Sequence, residues 1–332
     1  MSKPQVFITR KIPESGIKLL QKSCEVKVYP KDQVIPKKEL IKEVKQCDAL
    51  LCLLTDKIDK KAIAANPKLK IISNYAIGFN NIDIVYATKK GIPVTNTPGR
   101  AIVDAVAEHT IALMFAVTKR IVEADQFTRQ GKYKGWEPLL LLGMELVGKT
   151  IGIVGLGRIG SGVAQRAKAM GMKVIYYDVK RNTDFEKEFS AHYLSLSELL
   201  KNVDIVSLHV PLLPTTTHLI GKKELALMKK TAYLINTSRG PVIDEKALVS
   251  ALQKKQIAGA GLDVYEFEPK LTPGLVKLPN IVLTPHIASA TIEARSEMSV
   301  DAAENILAVL QGRKPKMLVN PEVYGKKLIK SS

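Results

Sequence analysis

The chain is poor in several residue types that carry chemistry or staple small folds. Cysteine occurs only at Cys24, Cys47 and Cys52 of 332 residues, with neither a C-x-x-C spacing nor a histidine cluster beside it. That excludes a disulfide framework and argues against a metal centre; the three thiols are expected to be reduced, small, buried side chains. Trp136 is the only tryptophan, and no stretch interleaves aromatic with basic residues as a single-strand nucleic-acid surface would. Long apolar runs are missing too. None approaches the ~20 residues that span a bilayer, and the first ten, MSKPQVFITR, hold no apolar secretory core, so a cytoplasmic protein without membrane attachment is expected.

Acid is in short supply. Asp and Glu number 32 against 50 Lys and Arg, a net charge of +18. The lysines occur in scattered short groups, Lys60–Lys61, Lys89–Lys90 and Lys229–Lys230, where helices are expected to face water. The charge therefore reads as a solvated surface that favours solubility and attracts anionic substrates, and no nucleic-acid partner is expected.

What the chain does contain is alternation. The segments QVFIT, GIKLLQK, EVKVYP, KKELIKEVKQ, ALLCLLT, KIISNY and PVTNTP read as strand and helix in turn, the pattern of a parallel sheet with crossover helices. A long helical pattern, AIVDAVAEHTIALMFAVTKRIVEADQFTRQG, then connects to a second series of apolar, β-branched runs: TIGIVG, KVIYYD, VDIVSLHVP, TAYLINTS, IAGAGLDV and NIVLTPH. Continuous apolar strands are those covered by helices on both faces. The amphipathic run TIEARSEMSVDAAENILAVLQG precedes a polar tail, and at this length two domains are expected.

Gly155, Gly157 and Gly160 form a G-x-G-x-x-G turn between an apolar strand ending at Val154 and a helix starting near Ile159. In that context Gly155 permits the tight turn, Gly157 admits a pyrophosphate to the helix N-terminus, and Gly160 lets the helix pack closely on the sheet. Asp178, eighteen residues beyond Gly160, ends the next strand, where a carboxylate binds ribose hydroxyls and favours NAD(H). It opposes a 2′-phosphate by about 4 kcal/mol at 4 Å and an effective dielectric near 20. Lys180 and Arg181 follow at once and keep NADP(H) open.

Reduction of a ketone by a nicotinamide needs a substrate clamp and a proton donor. Of the five histidines, His192 and His218 lie in polar segments and read as surface residues, and His109 reads as a packed or half-exposed residue of the connector helix. His209 and His286 both follow apolar strands, where open α/β sheets place their ligand sites, and either can reach the crevice. Arg239 also follows a strand, and its planar fork suits a carboxylate. Asp263 and Glu268 complete the strand-end set; a glutamate beside a histidine favours the charged imidazole.

The segments GLGRIG, LINTSRGPVIDE, GLDVYEFEP and LTPHIASAT, in this order, resemble the D-isomer-specific 2-hydroxyacid dehydrogenase family over essentially the whole chain. CLLTDKID, NYAIGFNNID and GWEPLLLLG are similar to its glyoxylate and hydroxypyruvate reductases. The resemblance implies two doubly wound parallel-sheet α/β domains: a flavodoxin-like substrate domain of residues 1–98 and 286–332, interrupted by a Rossmann cofactor domain of residues 99–285. It implies His286 as proton donor, Glu268 as its partner and Arg239 as substrate clamp. Leu53, Ile77, Gly78 and Trp136 would bind substrate, the carboxylate lying on the backbone of Ile77 and Gly78. Arg158, Ile159, His209, Val210, Pro211, Thr215, Asn236, Thr237, Ser238, Asp263 and Ala288 would join the glycines and Asp178 around the cofactor.

The expected activity is the NAD(P)H-dependent reduction of glyoxylate or hydroxypyruvate to the D-2-hydroxyacid, and its reverse, in a homodimer. Reactions on 3-phosphoglycerate, 2-ketogluconate or D-lactate stay open. So does a dinucleotide-sensing role like that of the family's co-repressors, against which the lack of a long interaction extension counts. Ser238 stands where the family often has alanine. Ile77 is apolar where phosphite-oxidising relatives have lysine, which argues against that activity.

Overall fold

The structure, a computed structural model, describes residues 2–325; the last residues of the expected polar tail, 326–332, lie outside the described residues. The chain divides into two compact units, one of residues 1–102 and 290–332, the other of residues 103–289. The crossings thus fall four residues later than the expected 98/99 and 285/286, and His286 lies in the second unit. The reason is local: the buried carboxylate of Asp263 accepts the Ile287 and Ala288 N–H groups at 2.9 and 2.8 Å, tying that turn to its own strand.

The first unit is built on five parallel strands: β1 (Gln5–Ile8), β2 (Glu25–Val28), β3 (Ala49–Leu53), β4 (Ile71–Tyr75) and β5 (Val94–Thr95). Their order, β2-β1-β3-β4-β5, is the flavodoxin-like winding. β3 and β4 sit inside the sheet and are buried almost throughout, as the unbroken apolar run of β3 predicts; β4 buries Ser73 and Asn74 as well. Aspartates stop two of the crossovers from fraying. Asp59 accepts from Ala62 N at 3.0 Å and Asp83 from Tyr86 N at 2.9 Å, capping helices Lys60–Ala64 and Ile84–Lys89. The helix Ile292–Leu310 returns to this unit, where its Ala302 and Arg295 carbonyls accept from Ser73 and Tyr75 of β4.

The second unit has seven parallel strands, β6 (Thr150–Val154), β7 (Lys173–Tyr177), β8 (His192–Tyr193), β9 (Ile205–Leu208), β10 (Tyr233–Asn236), β11 (Gly259–Leu262) and β12 (Ile281–Leu283). Their order is β12-β11-β10-β9-β6-β7-β8, so the winding reverses between β6 and β9, where a doubly wound sheet opens its ligand crevice. The strand β8 carries no apolar signal. It consists of two residues at the sheet edge, and His192, expected at the surface, is exposed there.

The long connector pattern forms two helices, Arg100–Thr118 and Ile121–Arg129. The break falls at Arg120, whose φ of 56° is left-handed and whose guanidinium binds Glu123 through two hydrogen bonds of 2.8 and 2.7 Å. By length and composition alone the helix Arg100–Thr118 could cross a membrane. Here it carries Asp104 and Glu108, both within ion-pair distance of Arg166. Its residues Ala107, Leu113, Met114 and Val117 lie in the core of the second unit, so it serves as a core helix. Cys24, Cys47 and Cys52 are free and buried; burial pushes the Cys47 thiol up to about 12.

Candidate active site

The glycine turn follows β6 directly. Gly155 has φ 96°, and a Cβ there would stand 2.9 Å from the backbone of His209. A Cβ on Gly160 would stand 2.0 Å from the Gly155 carbonyl oxygen, so helix Arg158–Ala169 can lie this close to the turn only with glycine. Gly157 is different: a Cβ would meet nothing within 4 Å. It opens onto free space at the helix N-terminus, whose first turn has no acidic residue. The positive end of the helix and the open space before Gly157 are what a pyrophosphate requires, so the chain's residues fit a dinucleotide.

Asp178 ends β7 and accepts the Leu156 N–H at 2.7 Å, which fixes its carboxylate over the turn. Of its two basic neighbours, Arg181 is already engaged. It makes two 2.8 Å hydrogen bonds to Glu186 and lies 5.9 Å from the centre of the Tyr193 ring. The Arg181 bonds, with one from the Tyr176 hydroxyl, pull the Glu186 carboxyl down to about 2. His209 follows β9 with its Nε2 2.8 Å from Ser207 Oγ, and burial drives its pKa down to about 3, keeping the ring neutral. Val210 is half-buried; Pro211 and Thr215 are exposed beside it.

The loop after β10 holds Asn236, Thr237, Ser238 and Arg239. Asn236 organises it: its Oδ1 accepts from Ser238 N at 3.0 Å and Ser238 Oγ at 2.7 Å, while its Nδ2 donates to Arg239 O at 3.0 Å. Thr237 pairs with Thr110 at 2.8 Å. A Cβ on Gly240 would lie 1.9 Å from the Tyr265 carbonyl, so only glycine lets the Arg239 loop pass the chain that carries Glu268. Burial lowers the pKa of the Arg239 guanidinium and the charge of Glu268 acts against that, leaving a desolvated cation coupled to a carboxylate.

Glu268 lies beyond β11 and His286 beyond β12. The Glu268 Oε2 is 2.9 Å from His286 Nδ1, and Oε1 accepts the Tyr265 N–H at 3.0 Å. Burial works to raise the Glu268 carboxyl, but hydrogen bonding and charge from His286, the Tyr265 N–H and the Arg239 charge together hold it below its usual range. His286 has φ 55°, a conformation that costs a non-glycine residue on the order of 1–3 kcal/mol and persists where surroundings over-determine it. They do so here. His286 N donates to Asp263 O at 2.9 Å, and the wholly buried Asp263 carboxylate receives Thr284 Oγ1 at 2.6 Å as well as the next two backbone N–H groups. With Nδ1 held by Glu268, His286 Nε2 is the nitrogen left to exchange a proton with a ligand.

Arg239, Glu268 and His286 are therefore brought together within one unit, from three different strand ends. His109 is half-buried on the connector helix, as expected, but the sequence did not show what its ring holds. Its Nε2 lies 3.1 Å from Thr284 Oγ1 and 3.5 Å from Asp263 Oδ1, so it braces the turn under His286. The available signal was its place beside buried Thr110 on a helix face that also carries Val106 and Leu113. His218 is exposed and pairs with Glu266 at 2.7 Å. Of the expected substrate residues, Leu53 ends β3 and Ile77 and Gly78 follow β4, all in the first unit. Trp136 belongs to the second and is 83% exposed.

A dinucleotide turn combined with a guanidinium, a carboxylate and an imidazole at strand ends defines a nicotinamide-dependent oxidoreductase. Residues 111–288 match the D-isomer specific 2-hydroxyacid dehydrogenase, NAD binding domain. A glyoxylate reductase of Thermococcus litoralis is 53% identical over 325 residues, 97% of this chain and 98% of that protein. Among solved structures, a protein of Thermus thermophilus is similar at TM-score 0.89 and 43% identity, covering 95% of this chain and 99% of the other. The NADPH-dependent glyoxylate/hydroxypyruvate reductase of Sinorhizobium meliloti, solved with NADP and malonate, has TM-score 0.84 and 30% identity, covering 97% and 98%. The chain belongs to the D-isomer specific 2-hydroxyacid dehydrogenase family.

Proposed function

We propose that the protein reduces small 2-oxoacids with NADH as its preferred reductant, first glyoxylate to glycolate or hydroxypyruvate to the D-2-hydroxyacid. The observation that carries this reading is the Glu268–His286 pair at 2.9 Å beside a desolvated Arg239, in the same unit as a complete dinucleotide turn. The glyoxylate reductases among its relatives support the substrate.

The bound nicotinamide supplies the hydride. The chain's own residues supply the rest. Ile77 and Gly78 offer backbone N–H groups to the substrate carboxylate, Leu53 borders the substrate, and Trp136 reaches the substrate pocket of a neighbouring subunit. Arg239 binds the carboxylate and the ketone oxygen with its planar fork. Charge develops on that oxygen as reduction proceeds, and His286 Nε2 delivers a proton to it. Nδ1 keeps its hydrogen bond to Glu268, whose ionised form stabilises the imidazolium before the transfer. A dinucleotide would be held by Gly155 to Gly160 with Arg158 and Ile159 at its pyrophosphate, by His209, Val210, Pro211 and Thr215, and by Asn236 to Ser238, Asp263 and Ala288 near its nicotinamide.

Two features support NADH. Asp178, held by the Leu156 N–H, would oppose a 2′-phosphate by about 4 kcal/mol at 4 Å and an effective dielectric near 20, and Arg181, which could answer that charge, is held by Glu186. Purified protein assayed with NADH and NADPH against a set of 2-oxoacids is expected to turn over glyoxylate or hydroxypyruvate with a higher kcat/KM for NADH. Turnover of no 2-oxoacid with either cofactor would reject the activity.

The second unit also exposes Ile121, Val122, Tyr133, Trp136, Leu139 and Leu142 within a short span of chain. Such apolar exposure suits a second copy of the chain. Light scattering is expected to give twice the monomer mass, and a monomer at micromolar concentration would rule the dimer out.

A further inference from the structure

The turn after β4 has three successive peptide groups whose carbonyls are all held from behind. The Ala76 carbonyl accepts from Thr97 N at 3.0 Å, the Ile77 carbonyl from Asn96 Nδ2 at 2.7 Å, and the Gly78 carbonyl from Asn74 Nδ2 at 2.8 Å. Asn74 and Thr97 are wholly buried, whereas Ile77 and Gly78 are half-buried and Phe79 is exposed. These peptide bonds are trans, so each N–H points opposite to the carbonyl of its own plane. Pinning three carbonyls inward therefore turns the N–H groups of Ile77, Gly78 and Phe79 outward. None of the three has an acceptor among the described residues. Successive outward N–H groups form a concavity for an anion.

The asparagines are themselves held. Asn74 and Asn81 exchange side-chain hydrogen bonds at 3.2 Å, and Asn81 Nδ2 also donates to Leu53 O at 3.0 Å. The Leu53 N–H is taken by Asp56 Oδ2 at 2.8 Å. The Asn96 N–H donates to Met317 O at 3.2 Å. One network thus sets the orientation of the backbone at both Leu53 and the 77–79 turn.

We propose that Asn96 and Asn74 are positioning residues for substrate recognition: they hold the peptide planes so that the N–H groups of Ile77, Gly78 and Phe79 together receive the carboxylate of the 2-oxoacid. This rests on the reading that Ile77 and Gly78 bind that carboxylate, and adds the Phe79 amide as a third donor. Leucine matches asparagine in shape but cannot donate, so Asn96→Leu frees the Ile77–Gly78 peptide to rotate. Its KM for glyoxylate is expected to rise about tenfold or more, with kcat within about threefold and NADH affinity unchanged, the pattern of lost substrate binding. Reduction of glycolaldehyde, which has no carboxylate, should keep its kcat/KM, a split that a general loss of structure would not give. Asn96→His, which retains a donor, should recover much of the affinity.

An Asn96→Leu enzyme with unchanged glyoxylate KM, or with equal losses on glyoxylate and glycolaldehyde, overturns the proposal. Should that variant fail to fold, the wild-type protein with 15N-labelled glycine and phenylalanine gives a second test. Titration with oxalate must shift the Gly78 and Phe79 amide resonances, and resonances that stay in place while oxalate inhibits overturn it. Wild-type protein that neither binds oxalate nor reduces any 2-oxoacid would instead reject the reading on which the inference rests.

Discussion

Replacing His286 by alanine is expected to slow reduction of a 2-oxoacid by about 10²- to 10⁴-fold, the usual contribution of a positioned general acid, while the Kd for NADH changes less than about twofold. The asymmetry follows from the proposed roles, in which the imidazole Nε2 serves the substrate oxygen and the turn from Gly155 to Gly160 holds the dinucleotide. His286 has a left-handed backbone, so alanine adds no conformational relief there, and His286→Asn, which tolerates that region better, is expected to lose as much activity with less effect on folding. Single-turnover rates and fluorescence titration with NADH check both. Equal losses in rate and NADH affinity would count against proton transfer. Glu268→Gln should cost less, because the amide can still hold Nδ1 by a hydrogen bond but carries no charge to stabilise the imidazolium.

Arg239→Gln is the second large effect. A guanidinium that grips a carboxylate and a ketone oxygen makes charge-assisted hydrogen bonds of ~1.5–3 kcal/mol each. Two of them lost amount to about 10²- to 10⁴-fold in kcat/KM at ~1.4 kcal/mol per factor of ten. Arg239→Lys is expected to recover little, because an ammonium cannot reproduce the planar fork. Thermal stability should hold or rise. Arg239 is half-buried, and its surroundings disfavour the charged form, so its removal takes away a partly desolvated cation. Steady-state kinetics with a parallel melting curve decide the matter: an activity loss explained by a fall in Tm would make Arg239 a structural residue.

Much of the fold was legible because its signals are local. Apolar runs such as ALLCL and TIGIV state burial on both faces, and the glycines of GLGRIG state a turn whose geometry other side chains cannot adopt. Arg239 and His286 were visible as candidates because each follows a recognisable strand. The two-residue β8 left no trace, having too little apolar surface to set a pattern. The break at Arg120 is equally silent, since an arginine in a left-handed conformation looks in sequence like any other helix-compatible residue.

The sequence by itself determined the alternation of strand and helix, the dinucleotide turn with Asp178, and the few side chains able to clamp a carboxylate or move a proton. These depend on residue type and short-range period. Only the tertiary structure decided which partner each side chain meets. It joined His286 to Glu268 across eighteen residues, set His109 beneath the same turn from the far helix, and placed Asn74 and Asn96 behind the amides of Ile77 to Phe79. A hydrogen bond needs its atoms within about 3 Å and aligned, and that register is set by how strands and loops pack across the sheet, which no short stretch of sequence records.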